Sequence, residues 1–214
     1  MKRANPSRRI KSGKRGTTRV EICGGIASGK TTLAKLLQIE NLTSVFEDFG
    51  KNPFYRAFYH DPVGTAFETE LTFLLQHYHQ EKTAARHMKS FCADFSLILD
   101  DAYACVTLPP DKLRLFRSVH KQVEAELPSR ALLVHLRCPP EVEMKRIRRR
   151  RRVAERTITL AYLAKINEAL DARTKSISRG ENVLIIDSNS LDFARESRAQ
   201  EVVRRQIAGA LAHA

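Results

Sequence analysis

The stretch Gly24-Gly25-Ile26-Ala27-Ser28-Gly29-Lys30-Thr31-Thr32 carries the clearest chemistry in this sequence. Glycines at its start and near its end let the backbone curl until several N–H groups point inward at phosphate oxygens. A lysine and two hydroxyls follow, where a helix would begin and present the positive end of its dipole. Lys30 is placed to bridge the outer phosphates, and the Thr31 hydroxyl to ligate Mg²⁺. A glycine turn serving only to join a strand to a helix has no need for Lys30 and Thr31. The loop defines a nucleoside triphosphate donor such as ATP, and it leaves the acceptor open.

Three further groups could act on that acceptor. Glu47 follows a short apolar segment, and a hydroxyl attacking phosphorus needs a carboxylate to orient it and take its proton. Asp94 ends another apolar segment and offers a second carboxylate for the metal or its waters. Lys145 to Arg152 places seven cations in eight positions. Guanidinium groups remain charged and can fork onto two phosphate oxygens. Taken singly, Glu47 also reads as a solvated strand-end acid, and the arginine run as a nucleic-acid patch or an exposed helix face.

The elements that must hold these groups follow from hydrophobic spacing. Residues 20–23, 43–46, 91–94, 131–136 and 182–186 are short apolar runs that predict strands. Residues 31–39, 53–59, 65–89, 109–127, 139 onward, 159–177 and the C-terminal segment predict helices. Strands without polar alternation argue for an α/β fold with a five-stranded parallel sheet flanked by helices. Ligands of such folds sit at the C-terminal strand ends, where the loop, Glu47 and Asp94 all fall.

Composition limits the alternatives. The chain has 214 residues and a net charge of +13, but residues 1–19 hold eight Lys or Arg and no acid. The remainder carries 29 basic against 24 acidic residues, so the excess lies mostly in a tail and the arginine cluster. We read 1–19 as a basic disordered tail able to bind polyanions weakly, and 20–214 as one domain. Nucleic acid is not otherwise an expected partner. No apolar run reaches the ~18 residues that a membrane span requires, and the four cysteines lack disulfide or zinc spacing. Reduced thiols and a cytoplasmic location are the expectation.

Four segments together resemble the deoxynucleoside kinase family over roughly residues 20–190, most closely the bacterial purine deoxynucleoside kinases. They are Glu47 with Asn52-Pro53-Phe54 and Phe58-Tyr59-His60-Asp61-Pro62; Phe67-Glu68; Asp94-Phe95-Ser96; and Arg146-Ile147 through Arg150-Arg151-Arg152 to Glu155, with Tyr162-Leu163 beyond. The resemblance implies a P-loop kinase fold with an arginine-rich lid, ATP and Mg²⁺ as donor and cofactor, and a homodimer. It implies Glu47 as base towards the 5′-hydroxyl, Tyr59 and Glu155 on the sugar 3′-hydroxyl, and Arg146, Arg150 and Arg152 on the phosphates. Asp94 would assist the metal. The dimer would form by helix pairing, which the apolar face from Phe67 to Tyr78 would permit.

Three departures stand out. Glu68 occupies the place read as the base-pairing glutamine; ionised, it only accepts hydrogen bonds and would favour bases rich in N–H groups. Phe95 stands where the family has an arginine, and Arg151 replaces the lid glycine. The expected activity is phosphorylation of a deoxynucleoside, purine preferred. A nucleoside monophosphate kinase resembling thymidylate kinase, a nucleic-acid-binding P-loop NTPase and an inactive relative are the alternatives.

Overall fold

The strand β1 (Thr18–Gly24) runs through the middle of a five-stranded sheet in the computed structural model, which describes residues 18–38, 42–127, 131–177 and 183–212. Its neighbours are β3 (Ser90–Ala93) on one side and β4 (Leu132–Arg137) on the other. Beyond them lie β2 (Thr43–Val45) and β5 (Val183–Asp187), giving the order β2-β3-β1-β4-β5 with every pair parallel. The five strands lie within one residue of their expected limits at every end but one. β1 is the exception at its start: Thr18 and Arg19, assigned above to the tail, belong to the sheet. The Arg19 guanidinium lies 3.1 Å from Glu21 and 3.2 Å from Glu81, which ties it into the fold. The rest of the basic tail falls outside the described residues.

Helices cover both faces, which explains why the strands lack polar alternation. Side chains alternate across the strand pleat. Val20, Ile22, Val134 and Leu136 therefore pack with α1 (Lys30–Leu37) and α8 (Ser197–Ala212). Cys23 and Leu133 point oppositely, to α4 (Leu97–Thr107) and α7 (Leu160–Ile177). Outside α4 lies a second apolar layer, built from α3 (Pro62–His87) and α5 (Pro110–Glu126) around Leu74, Phe116 and Val123. Phe67, Leu71 and Tyr78 pack into that layer. The apolar face offered above for a dimer is thus largely covered within the chain, leaving Leu75 exposed.

Two sequence expectations change in detail. Helix α3 begins at Pro62, because Asp61 caps it by accepting from the Gly64 N–H at 2.9 Å and proline suits the first helical position. The apolar run after Asp94 is the helix α4, capped by the Ser96 hydroxyl, which accepts from the Leu99 N–H at 3.1 Å. Helices α2 (Tyr55–Phe58) and α6 (Pro140–Arg150) complete the frame around the strand ends.

Candidate active site

A cavity of about 430 Å³ opens at the C-terminal ends of β1, β2 and β3. The glycine loop forms its floor between β1 and α1. Gly29 has φ +114° and Gly24 φ +153°, conformations that glycine adopts without strain. Ala27 is also left-handed, at φ 64°. Behind the loop, a methyl group on Gly25 would lie 2.1 Å from Glu143 Oε1 and 2.5 Å from Asn167 Oδ1. Any larger side chain there would have to displace the ends of Glu143 and Asn167. Glu143 is fully buried, and its Oε1 has no hydrogen-bond partner among the described residues. Burial pushes its carboxyl up to about 8, against the pull of Lys30, Asn167 and Arg146.

Lys30 donates to the Gly24 and Gly25 carbonyl oxygens, at 2.9 and 3.0 Å. Burial lowers its pKa, while Glu47, Asp94 and Glu143 oppose that shift. The Thr31 hydroxyl donates to Asp94 Oδ2 at 2.6 Å, and the Glu47 N–H to Asp94 Oδ1 at 2.7 Å. Asp94 therefore ties the phosphate loop to the end of β2, and Glu47 lines the same cavity as Lys30 and Thr31. Burial raises the Asp94 pKa, countered by those two hydrogen bonds. Among the described residues no cluster of three or more His, Cys, Asp or Glu side chains could hold a metal alone. A hydroxyl beside a carboxylate fits a hard cation that takes its remaining ligands from phosphates and water.

The cavity's far wall is aromatic and acidic. Phe49, Tyr55, Tyr59 and Phe73 contact one another there, with ring centroids 5.3 to 6.3 Å apart. Asn52 pins this segment to α3: its amide donates to the Thr69 carbonyl at 3.0 Å, and its oxygen accepts from the Phe54 N–H. Tyr59 lines the cavity within this aromatic group, and burial raises its phenol above the usual value.

Glu68 is not in the cavity. It is exposed, and Glu70 lines the wall in its place. Two residues along an α-helix turn the side chain by ~200°, so the two glutamates face opposite directions. Glu70, Phe73 and His77 share the cavity side of α3, a spacing that helical periodicity could have revealed. The Thr107 hydroxyl donates to Glu70 Oε1 at 3.0 Å. Burial pushes the Glu70 carboxyl up to about 8, with Thr107 opposing and the Asp100 and Glu47 charges adding to it. Asp100 reaches the cavity from α4, whereas Asp101 is buried beside it and bonded to Arg117 at 2.9 Å and Arg173 at 2.7 Å.

The arginine segment forms α6 and the turn after it. Arg146, Arg149, Arg150 and Arg152 border the cavity. Arg146 donates to the carbonyls of Ala27, Ser28 and Ser188, bracing the outside of the phosphate loop. Arg150 and Arg152 both hold Glu155, with Arg152 at 3.4 Å. Glu155 is buried and reaches the cavity beneath them. Arg151 ends α6 at φ 53°, in the left-handed region that the lid glycine of the resemblance would adopt freely.

The family profile for deoxynucleoside kinase matches residues 20–212. The chain belongs to the deoxynucleoside kinase family. It is 24% identical over 195 residues to deoxyadenosine kinase of Dictyostelium discoideum, spanning 88% of this chain and 79% of that protein. Among solved structures it resembles deoxyadenosine kinase from M. mycoides with bound dCTP, with a TM-score of 0.76 at 18% identity over 90% of this chain and all of that one. The same enzyme with bound dATP gives 0.76 at 19% identity, over 89% and 99% of the two chains. These likenesses place the fold, and the profile places the chain among kinases. Among the described residues no helix is long and apolar enough to cross a membrane.

Proposed function

We propose that this kinase transfers the γ-phosphoryl group of ATP to the 5′-hydroxyl of a purine deoxynucleoside, deoxyadenosine foremost, in a Mg²⁺-dependent salvage reaction. The observation that carries the reading is Glu47: it lines one cavity with the phosphate loop, and its backbone N–H is tied to that loop through Asp94 and Thr31. Glu47 takes the proton as the 5′-oxygen bonds to the γ-phosphorus. The bond from phosphorus to the bridging oxygen breaks, and ADP leaves.

Lys30 leaves the loop carbonyls for the phosphates, and the loop N–H groups hold them. Thr31 and Asp94 would hold Mg²⁺, which would offset phosphate charge. Arg146, Arg150 and Arg152 line the opposite rim and offset charge on the transferring group. Tyr59 and Glu155 hold the sugar.

Glu70, rather than Glu68, reads the base. With its carboxyl pushed up to about 8 it is mostly protonated at neutral pH, and so offers a donor and an acceptor together. That pair complements a ring nitrogen beside an exocyclic amine, as adenine presents on two edges. The names of the relatives support adenine over guanine. A nucleoside monophosphate kinase needs a cation aimed at the acceptor phosphate; at this end of the cavity Glu47, Glu70 and Asp100 surround His77, whose two ring nitrogens face Asp100 and Glu47. A homodimer and a cytoplasmic location complete the proposal; Cys23, Cys92 and Cys138 are buried free thiols, which suits a reducing compartment.

The test is ATP consumption with Mg²⁺ against deoxyadenosine, deoxyguanosine, deoxycytidine and thymidine separately. Strongest stimulation by deoxyadenosine is expected. Strongest stimulation by thymidine would overturn the base assignment.

A further inference from the structure

His77 is the group in the cavity that the reaction above leaves without a task. It lies on α3, is 2% exposed, and is flanked by two aromatic rings. Phe95 stacks on it with centroids 4.2 Å apart and planes at 10°, and Phe73 with centroids 5.8 Å apart at 25°. The ring plane is therefore fixed. In that plane Nδ1 is 2.9 Å from both oxygens of Asp100. On the other side Nε2 lies 3.3 Å from Glu47 Oε1, with no aligned hydrogen-bond partner among the described residues.

We propose that Asp100 and His77 form a positioning pair for Glu47: Asp100 orients the imidazolium, and the imidazolium holds the carboxylate towards the 5′-hydroxyl. This rests on Glu47 being the base. The order carboxylate, ring, carboxylate crosses from α4 through α3 to the end of β2, so three separate elements fix one oxygen. Burial alone would keep the ring neutral. The Asp100 charge and hydrogen bond, with Glu47 beyond, outweigh burial and push His77 up to about 10.

The pair also explains Phe95. The resemblance places an arginine there, yet Phe95 is fully buried beneath the His77 ring. The nearest cation to Glu47 on this wall comes from α3 instead, and the residue after Asp94 supplies the surface on which it rests. Phe95 and His77 are linked: an arginine at 95 would remove the stacking partner and set a second cation against the first.

A displaced carboxylate still accepts a proton, but less often from a correctly placed hydroxyl. The effect belongs in kcat rather than in KM. The experiment compares the wild type with H77Q, D100N, E47Q and the double variant E47Q/H77Q, using deoxyadenosine, ATP and Mg²⁺. Circular dichroism and thermal melting check each fold, and D100N carries the test if H77Q does not fold. We expect H77Q and D100N to lower kcat ~10 to 100-fold, with KM for both substrates within ~3-fold. The double variant should be no slower than E47Q. Loss confined to the deoxyadenosine KM would overturn the proposal and make His77 a base contact. Independent, multiplying losses in the double variant would also overturn it. Near-normal turnover by E47Q would instead remove Glu47 as base, a failure distinguishable from the other two.

Discussion

Replacing Glu70 with Gln should stabilise the kinase, and by an amount that grows with pH. The buried carboxyl titrates near 8 in the fold, against an ordinary value of 4.5. A carboxyl with a raised folded pKa favours the folded state while both states are protonated. That advantage disappears as pH rises from 4.5 to about 8, because the unfolded chain ionises first. At pH 7 the folded state forgoes about 3 kcal/mol, from ~2.5 units at 1.36 kcal/mol each. At pH 5 the figure is under about 1 kcal/mol, and at pH 9 it reaches about 5 kcal/mol. Glutamine keeps the acceptor for Thr107 and carries no charge, so it escapes the whole term. Urea unfolding of wild type and E70Q at pH 5, 7 and 9 reads the difference directly. The same variant should keep its deoxyadenosine KM at pH 7 within ~3-fold, since an amide also pairs a donor with an acceptor. Wild-type KM should rise between pH 7 and 9 while that of E70Q stays level. A stability difference that does not change with pH would refute the reasoning, because it would mean that Glu70 is ionised in the fold.

Two other substitutions probe the loop and the lid. G25A sets a methyl group 2.1 Å from Glu143 Oε1 in a fully buried site, and should weaken ATP binding at least ~10-fold while the far-UV spectrum is retained; isothermal titration with ATP measures it. R151G relieves a left-handed arginine at the end of α6 and should raise stability by about 1 kcal/mol, read from urea midpoints.

The sheet was legible because its central strands β1, β3 and β4 are largely buried on both faces and so appear as mostly apolar runs, broken by Glu21 in β1 and His135 in β4. The phosphate loop was legible because its chemistry is local, with every participating residue within nine positions. Glu47 and Asp94 could be placed because strand ends are where parallel sheets present side chains. Glu70 was missed for a physical reason: motif matching aligned Glu68 by sequence neighbourhood, whereas helix phase decides which side chain enters the cavity. Helix α4 was missed because Phe91 to Leu99 is apolar apart from Asp94 and Ser96, which hides the turn at Ser96 between strand and helix. The carboxylates that follow, Asp100 and Asp101, are buried and neutralised by His77, Arg117 and Arg173. Those partners lie 16 to 72 positions away in sequence, beyond the reach of any local pattern. Arg19 was assigned to the tail on composition, while its partner Glu81 sits 62 positions on.

The most direct test of the central claim is E47Q, compared with wild type for deoxyadenosine-dependent turnover and for ATP affinity. The account predicts kcat lower by at least ~10²-fold with ATP affinity within ~3-fold, because the amide cannot take the 5′-hydroxyl proton but leaves the phosphate loop intact. Turnover near that of the wild type, with ATP bound equally well, would contradict it.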